Sequence, residues 1–229
     1  EDAPADEIDA PKAFKITPRE DQKPVLEYKS GQMAISAVPG AGKTTILLAL
    51  ILKLLDMGAS AENIFVLTYM ESAARNFRER IKSVRENSAN LPNISTIHGL
   101  ALRILKENGN FERLGLSADF EICDDTQRSR IVKEIATKMK LKKTETDEFD
   151  RAISVFKIGG GKFQENITDV KIKKFSQFFT GYQETLHAAN LIDYDDMLIS
   201  SVKLLEENPD ILAHYQDICH FVIEDEAQD

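Results

Sequence analysis

Short apolar runs alternate with helical periodicities through the first half of the chain. An apolar run at 33–38 precedes a helical pattern at 43–57, 63–67 precedes 71–85, and 94–96 precedes 98–106. Strands alternating with helices in this way predict a parallel sheet whose strands are joined by crossover helices. Between 125 and 209 only helical periodicity is found, broken by turn signals at Gly159-Gly160-Gly161 and Asn208-Pro209, which predicts an inserted helical subdomain. One further strand is expected at 220–223. Residues 1–12 are acidic, carry Pro4 and Pro11, and read as a solvated tail or linker. The expected organisation is therefore a tail at 1–12, the first part of an α/β domain at 13–110, a helical subdomain at 111–207 and a return to the α/β domain at 208–229.

With 42% hydrophobic and 29% charged residues, the 229-residue chain has enough apolar side chain for a packed core, so general disorder is excluded. The longest apolar stretch, 46–55, is interrupted by Lys53 and stops at Asp56, too short for a membrane span. Cys123 and Cys219 are distant, form no C-x-x-C pair and are too few to staple a secreted scaffold, so a reducing compartment and no secretory signal are expected. The net charge of -9 argues against non-specific coating of nucleic acid. Against that average, 128–174 holds thirteen basic residues and seven acidic ones. That segment is either a solvated helical face or a phosphate-facing surface.

Ala37-Val38-Pro39-Gly40-Ala41-Gly42-Lys43-Thr44 lies between an expected strand and a long helix, the context of a nucleotide phosphate loop. Glycines at 40 and 42 let successive backbone N–H groups converge on an anion at the positive end of the helix dipole. Lys43 is positioned for the β and γ phosphates, and the Thr44 hydroxyl for the Mg²⁺ that bridges them. The usual first glycine of such loops is replaced by Ala37. At the far end, Asp225 and Glu226 follow a short apolar run, where a parallel sheet presents its carboxyl ends to a ligand. Asp225 is expected to share the Mg²⁺ with Thr44, and Glu226 to orient and deprotonate the attacking water. Lys43, Asp225 and Glu226 are the candidate catalytic residues, and Thr44 and Asp225 the candidate metal ligands.

Five segments in order, Gln22, 37–45, Thr68-Tyr69, Thr96-Ile97-His98-Gly99 and Asp225-Glu226-Ala227-Gln228-Asp229, resemble superfamily 1 DNA helicases of the UvrD/Rep type. The resemblance implies a P-loop RecA-like α/β sheet, domain 1A, interrupted by a helical subdomain, 1B. It implies that Gln22 reads the adenine and that Ala37, Val38, Pro39, Gly40, Ala41, Gly42, Lys43, Thr44 and Thr45 complete the ATP site. Many relatives carry an arginine where Thr45 stands, so recognition is expected to lean on Gln22. Residues 68–74, Thr-Tyr-Met-Glu-Ser-Ala-Ala, are similar to the family's T-F-T-N-K-A-A, with Tyr69 as a base-stacking group and Thr68 at phosphate. Glu71 and Ser72 replace its Asn-Lys and remove a positive charge. Arg75, Arg78, Lys82 and Arg85 follow on one helical face.

Thr96 and His98 match a motif that meets the DNA backbone, although Ile97 has lost its aromatic. Residues 191–198 resemble a D-F-D-D-L stretch in which Asp193 is read as a helix N-cap with a structural role. The resemblance further implies ATP and Mg²⁺ as cofactors, single-stranded DNA and single/double-strand junctions as partners, 3′ to 5′ movement, and a role in repair, replication or recombination beside nuclease or repair proteins. An ATP-dependent switch or end-processing module is the alternative. An incomplete motor is expected too, since the remaining strands of 1A and the 2A and 2B domains would follow Asp229. The expected location is the cytoplasm of a bacterium or the nucleus of a eukaryote, with no membrane association.

Overall fold

A computed structural model describes residues 17–38, 40–85, 91–162 and 169–228. The expected tail at 1–12, Pro39 and Asp229 lie outside the described residues. The chain divides into two compact units, one made of residues up to 97 together with those from 213 onward, the other of residues 98–212.

In the first unit, helix α1 (Lys23–Leu26) and helix α2 (Lys43–Asp56) precede strand β1 (Ile64–Thr68), helix α3 (Glu71–Val84) and strand β2 (Asn93–Thr96). The unit closes on strand β5 (Phe221–Glu224). The three strands are parallel in the order β2-β1-β5, with Val66 opposite both Ile94 and Ile223. β1 is central and covered on both faces, which is why it reads as an unbroken apolar run. α2 is buried at eight positions from Ile46 to Leu55, and α3 buries only the stripe Ala74, Phe77 and Ile81. Side chains of α1, α2, α3 and the strands form one apolar core.

Residues 33–38, expected as a strand, form no strand in the structure. Only Ile35 is partly buried there, and its neighbours face solvent. Strand propensity reflects burial on a pleated surface, and with no face to bury the ordering entropy is not offset. Residues 31–35 instead line a cavity of about 580 Å³ with Leu47, Leu50, Leu54 and β5.

The second unit runs from helix α4 (Ile97–Lys106) and strand β3 (Glu121–Ile122) through helices α5 (Asp125–Lys138), α6 (Lys143–Ile158) and α7 (Asp169–Ala188). It continues with strand β4 (Leu191–Ile192) and helix α8 (Tyr194–Glu207), and helix α9 (Pro209–Ile218) leads back to β5. Its core joins Ile131, Ile135, Phe149, Ile153, Phe175, Phe178 and Tyr182. Phe149 meets Phe175 edge-on at 5.5 Å, a favourable quadrupole arrangement. The sequence predicted helices alone here, but β3 and β4 form a small parallel pair. Two residues per strand are too few for a period of two to register. Among the thirteen basic residues of 128–174, Arg128, Lys138, Lys157, Lys171 and Lys174 form ion pairs within this unit, which narrows what that segment offers to phosphate. No described helix is long and apolar enough to cross a membrane.

Candidate functional site

The phosphate loop takes its shape from two glycines. Gly40 and Gly42 have φ of 78° and 81°, the left-handed region that side chains rarely adopt, and the Ala41 N–H donates to the Val38 carbonyl at 3.0 Å. Gly42 is the N-cap of α2, and no side chain caps this helix start. The first-turn N–H groups of a helix lack intrahelical acceptors, so this end offers donors and a positive dipole to an anion.

The loop is braced from the segment before α1. Gln22 Nε2 donates to the Ala41 carbonyl at 3.1 Å, and the Arg19 guanidinium donates to the same oxygen at 3.0 Å. The Arg19 N–H in turn donates to Gln22 Oε1 at 3.1 Å. Asp21 hydrogen-bonds Arg19, holding that guanidinium's pKa above its ordinary value and its own carboxyl below the usual range. Arg19, Gln22, Val25, Ile35, Lys43 and Ile46 line a cavity of about 290 Å³ beside the loop. Arg19 was not singled out in the sequence, where its only signal is that it stands three residues before Gln22. Thr45 Oγ1 accepts from Arg80 of α3 at 3.4 Å, which places an arginine beside the loop position where the resemblance implies one.

The acidic pair comes off the carboxyl end of β5. The Asp225 N–H extends the ladder by donating to the Leu67 carbonyl at 2.9 Å, and the carboxylate is 4% exposed. Lys43 Nζ lies 2.5 Å from Glu226 Oε2 and 3.4 Å from Asp225 Oδ1. The hydrogen bond from Lys43, with a second from Gln228 Nε2 at 2.6 Å, holds the Glu226 carboxyl below the ordinary range. The Glu226 contact in turn raises Lys43, against the opposing effect of burial. Glu226 adopts φ 62°, a strained region for a residue with a side chain.

Asp225 Oδ1 is buried and receives no hydrogen bond, although Lys43 stands at ion-pair distance. An acceptor left without a donor is costly unless a cation completes it. A hard divalent ion suits that oxygen, with the Thr44 hydroxyl expected from the sequence as its companion. The described residues contain no group of three or more His, Cys, Asp or Glu side chains able to hold a metal by themselves. One carboxylate and one hydroxyl, completed by water and phosphate oxygens, is the sparse protein ligation that Mg²⁺ favours.

Thr68, Tyr69 and Thr96 lie at the same carboxyl edge, Thr68 and Thr96 being register partners at the ends of β1 and β2. Thr68 is 1% exposed and its hydroxyl donates to the Met70 carbonyl at 3.0 Å, so that group faces inward. Tyr69 is exposed. His98 belongs to α4 in the second unit, where its ring meets that of Tyr194 edge-on at 5.6 Å. Of the basic set Arg75, Arg78, Lys82 and Arg85 along α3 and its C-cap, Arg78 and Arg85 are engaged in the fold. Arg78 donates to the Ile94 carbonyl and Glu71, and Arg85 pairs with Asp56.

Residues 18–229 match the family described as UvrD/REP helicase N-terminal domain. The chain is 29% identical over 215 residues to the ATP-dependent DNA helicase PcrA of Staphylococcus aureus (strain Mu50), an alignment that takes in 91% of this chain and 29% of that protein. It is 29% identical over 226 residues to PcrA of Leuconostoc citreum, covering 91% of this chain and 28% of the relative. It is 32% identical over 218 residues to a probable DNA helicase II homolog of Rickettsia felis, covering 91% of this chain and 32% of the relative. The chain thus spans about a third of the length of these curated relatives. With a parallel sheet, a glycine-bent loop opening α2 and an acidic pair brought onto Lys43, all within the matched residues, the chain belongs to the UvrD/REP helicase N-terminal domain family.

Proposed function

We propose that this chain is the ATP-binding part of an ATP-dependent DNA helicase that couples ATP hydrolysis to 3′ to 5′ translocation on single-stranded DNA and to unwinding at single/double-strand junctions. Residues 13–110 and 208–229 serve as domain 1A and residues 111–207 as domain 1B, with 2A and 2B domains supplying the second wall of the site. DNA repair, replication or recombination is the setting, with the cytoplasm or nucleus as the location. The observation that carries the reading is Lys43 at the loop mouth within reach of both Asp225 and Glu226.

In this reading Lys43 leaves the carboxylates for the β and γ phosphates, while backbone N–H groups from Gly40 to Thr44 cradle them. Thr44 and Asp225 would hold Mg²⁺, whose charge would offset that of the phosphate oxygens. Released from Lys43, Glu226 orients a water at the γ phosphate and takes its proton. Gln22 reads the adenine from its place beside Ala41, with Arg19 and Arg80 flanking the loop. Single-stranded DNA is contacted by Tyr69 and Thr96 at the carboxyl edge and by His98, while Thr68, turned inward onto the Met70 carbonyl, shapes that edge rather than touching phosphate.

Glu226→Gln in the complete protein tests the assignment: the amide still accepts hydrogen bonds but takes no proton. ATP·Mg²⁺ binding is expected to persist while DNA-stimulated hydrolysis falls by about 10² to 10⁴. Wild-type turnover in that variant moves the base elsewhere. ATP binding without DNA-stimulated hydrolysis in the unmodified protein favours a nucleotide-dependent switch or a nuclease-partnered module instead.

A further inference from the structure

Lys157 of α6 is a buried ammonium in the second unit, with its side chain 3% exposed. It donates to Asp193 Oδ2 at 2.6 Å and to Asp196 Oδ2 at 2.7 Å. The Tyr182 hydroxyl of α7 donates to the same Asp193 oxygen at 2.9 Å, and Gln183 Nε2 donates to Asp196 Oδ1 at 3.3 Å. Arg128 of α5, held by Asp150, stands 3.7 Å from Asp193. Three helices, α5, α6 and α7, therefore converge on the first turn of α8.

The network is costly as a source of stability. Buried ion pairs are often matched or exceeded by apolar residues of similar volume, because both charges lose their hydration. What charge supplies in addition is direction, since the Lys157 donors are met by two carboxylates, Asp193 and Asp196, at the start of α8. Asp193 is well placed to transmit that direction: its other oxygen, Oδ1, accepts the Asp196 N–H at 2.9 Å and caps α8. Burial works to raise the Asp193 carboxyl, but Lys157 and these bonds outweigh it and keep it below the usual range. The residue after the cap is Tyr194, half exposed, whose ring stands at 83° to His98.

We propose that Lys157 is a positioning residue for His98, acting through the Asp193 cap and the Tyr194 ring. The path is short: Lys157 fixes the Asp193 carboxylate, the carboxylate fixes the first turn of α8, that turn aims Tyr194, and the Tyr194 ring sets the plane of the imidazole. The consequence for DNA binding rests on His98 contacting DNA as proposed above, whereas the positioning itself does not.

Two measurements on the chain separate these points. The sequence has four histidines, so His98 ring signals in a carbon–proton NMR spectrum are assignable by comparison with His98→Ala. Lys157→Met, similar in length and uncharged, is expected to displace the His98 signals as far as Tyr194→Ala does. Asp193→Asn keeps the cap and loses the charge, and is expected to displace them in the same direction. If the methionine variant fails to fold, the asparagine variant decides. Unmoved His98 signals in a folded variant overturn the proposal.

In anisotropy titrations with a single-stranded oligonucleotide, Lys157→Met and His98→Ala are each expected to weaken binding about three- to tenfold, and the double variant no further than His98→Ala alone. Additive losses overturn the route through His98. Displaced signals with unchanged affinity in His98→Ala leave the positioning standing and remove His98 from the DNA path.

Discussion

Lys43 and Glu226, from opposite ends of the chain, meet at 2.5 Å across the mouth of the phosphate loop. In the proposed reading the contact joins the group assigned to the nucleotide phosphates to the group assigned to deprotonate water, and those two roles exclude each other. While Lys43 holds Glu226, the carboxylate is engaged as an acceptor, and phosphate oxygens that draw Lys43 away release it.

Lys43→Ala is accordingly expected to lose nucleotide affinity, because a compact ammonium facing phosphate is replaced by a methyl group. Titration of a fluorescent ATP analogue against both forms checks this, and equal affinity removes the phosphate-loop assignment.

The same contact has a defined pH window. Glu226 is depressed, so its contribution to stability is present above the ordinary glutamate value of about 4.3 and is lost as pH falls through its lower folded-state value. Lys43 is raised, so its contribution is present below about 10.4 and is lost only as pH rises through a higher folded-state value. Denaturant melts of wild type and Glu226→Gln are expected to differ by a constant amount from pH 6 to 9 and to converge in acid below the ordinary glutamate range. A difference that changes through neutral pH contradicts the pairing.

Gly42→Ala places a Cβ on a backbone at φ 81°, 3.5 Å from Gln22 Nε2. The nearby amide tolerates the contact, so backbone strain of about 1–3 kcal/mol is the main effect. The expected outcome is weakened ATP affinity together with a melting temperature lowered by about 2–4 °C per kcal/mol of strain, measured by calorimetric titration and thermal denaturation. Unchanged affinity shows that the loop accepts nucleotide in another conformation.

Tyr69→Ala is expected to weaken single-stranded DNA binding by about 1–3 kcal/mol, the range for losing one base–aromatic stack. Stacking does not release counterions, so the slope of log affinity against log salt stays the same, while loss of a phosphate contact lowers it by about 0.7. Titrations at several salt concentrations distinguish the two.

Local chemistry was legible in the residues where it depends on neighbours in the chain. Glycine at 40 and 42 is needed because φ there is positive, and Asp193 caps α8 because a short acceptor stands before an amphipathic run. The apolar run at 63–67 and the helical pattern at 71–85 likewise announced β1 and α3. The run at 33–38 looked like another strand, yet strand formation requires a neighbour to receive its hydrogen bonds and a face to bury, and propensity encodes neither. That Arg19 and Gln22 hold one carbonyl of the phosphate loop, that Arg80 reaches Thr45, and that Lys157 serves the buried Asp193 and the partly buried Asp196 were decided by tertiary packing alone. These contacts join residues far apart in the chain, and a charged residue on a helix carries no mark in its own sequence of which distant partner will take it out of water.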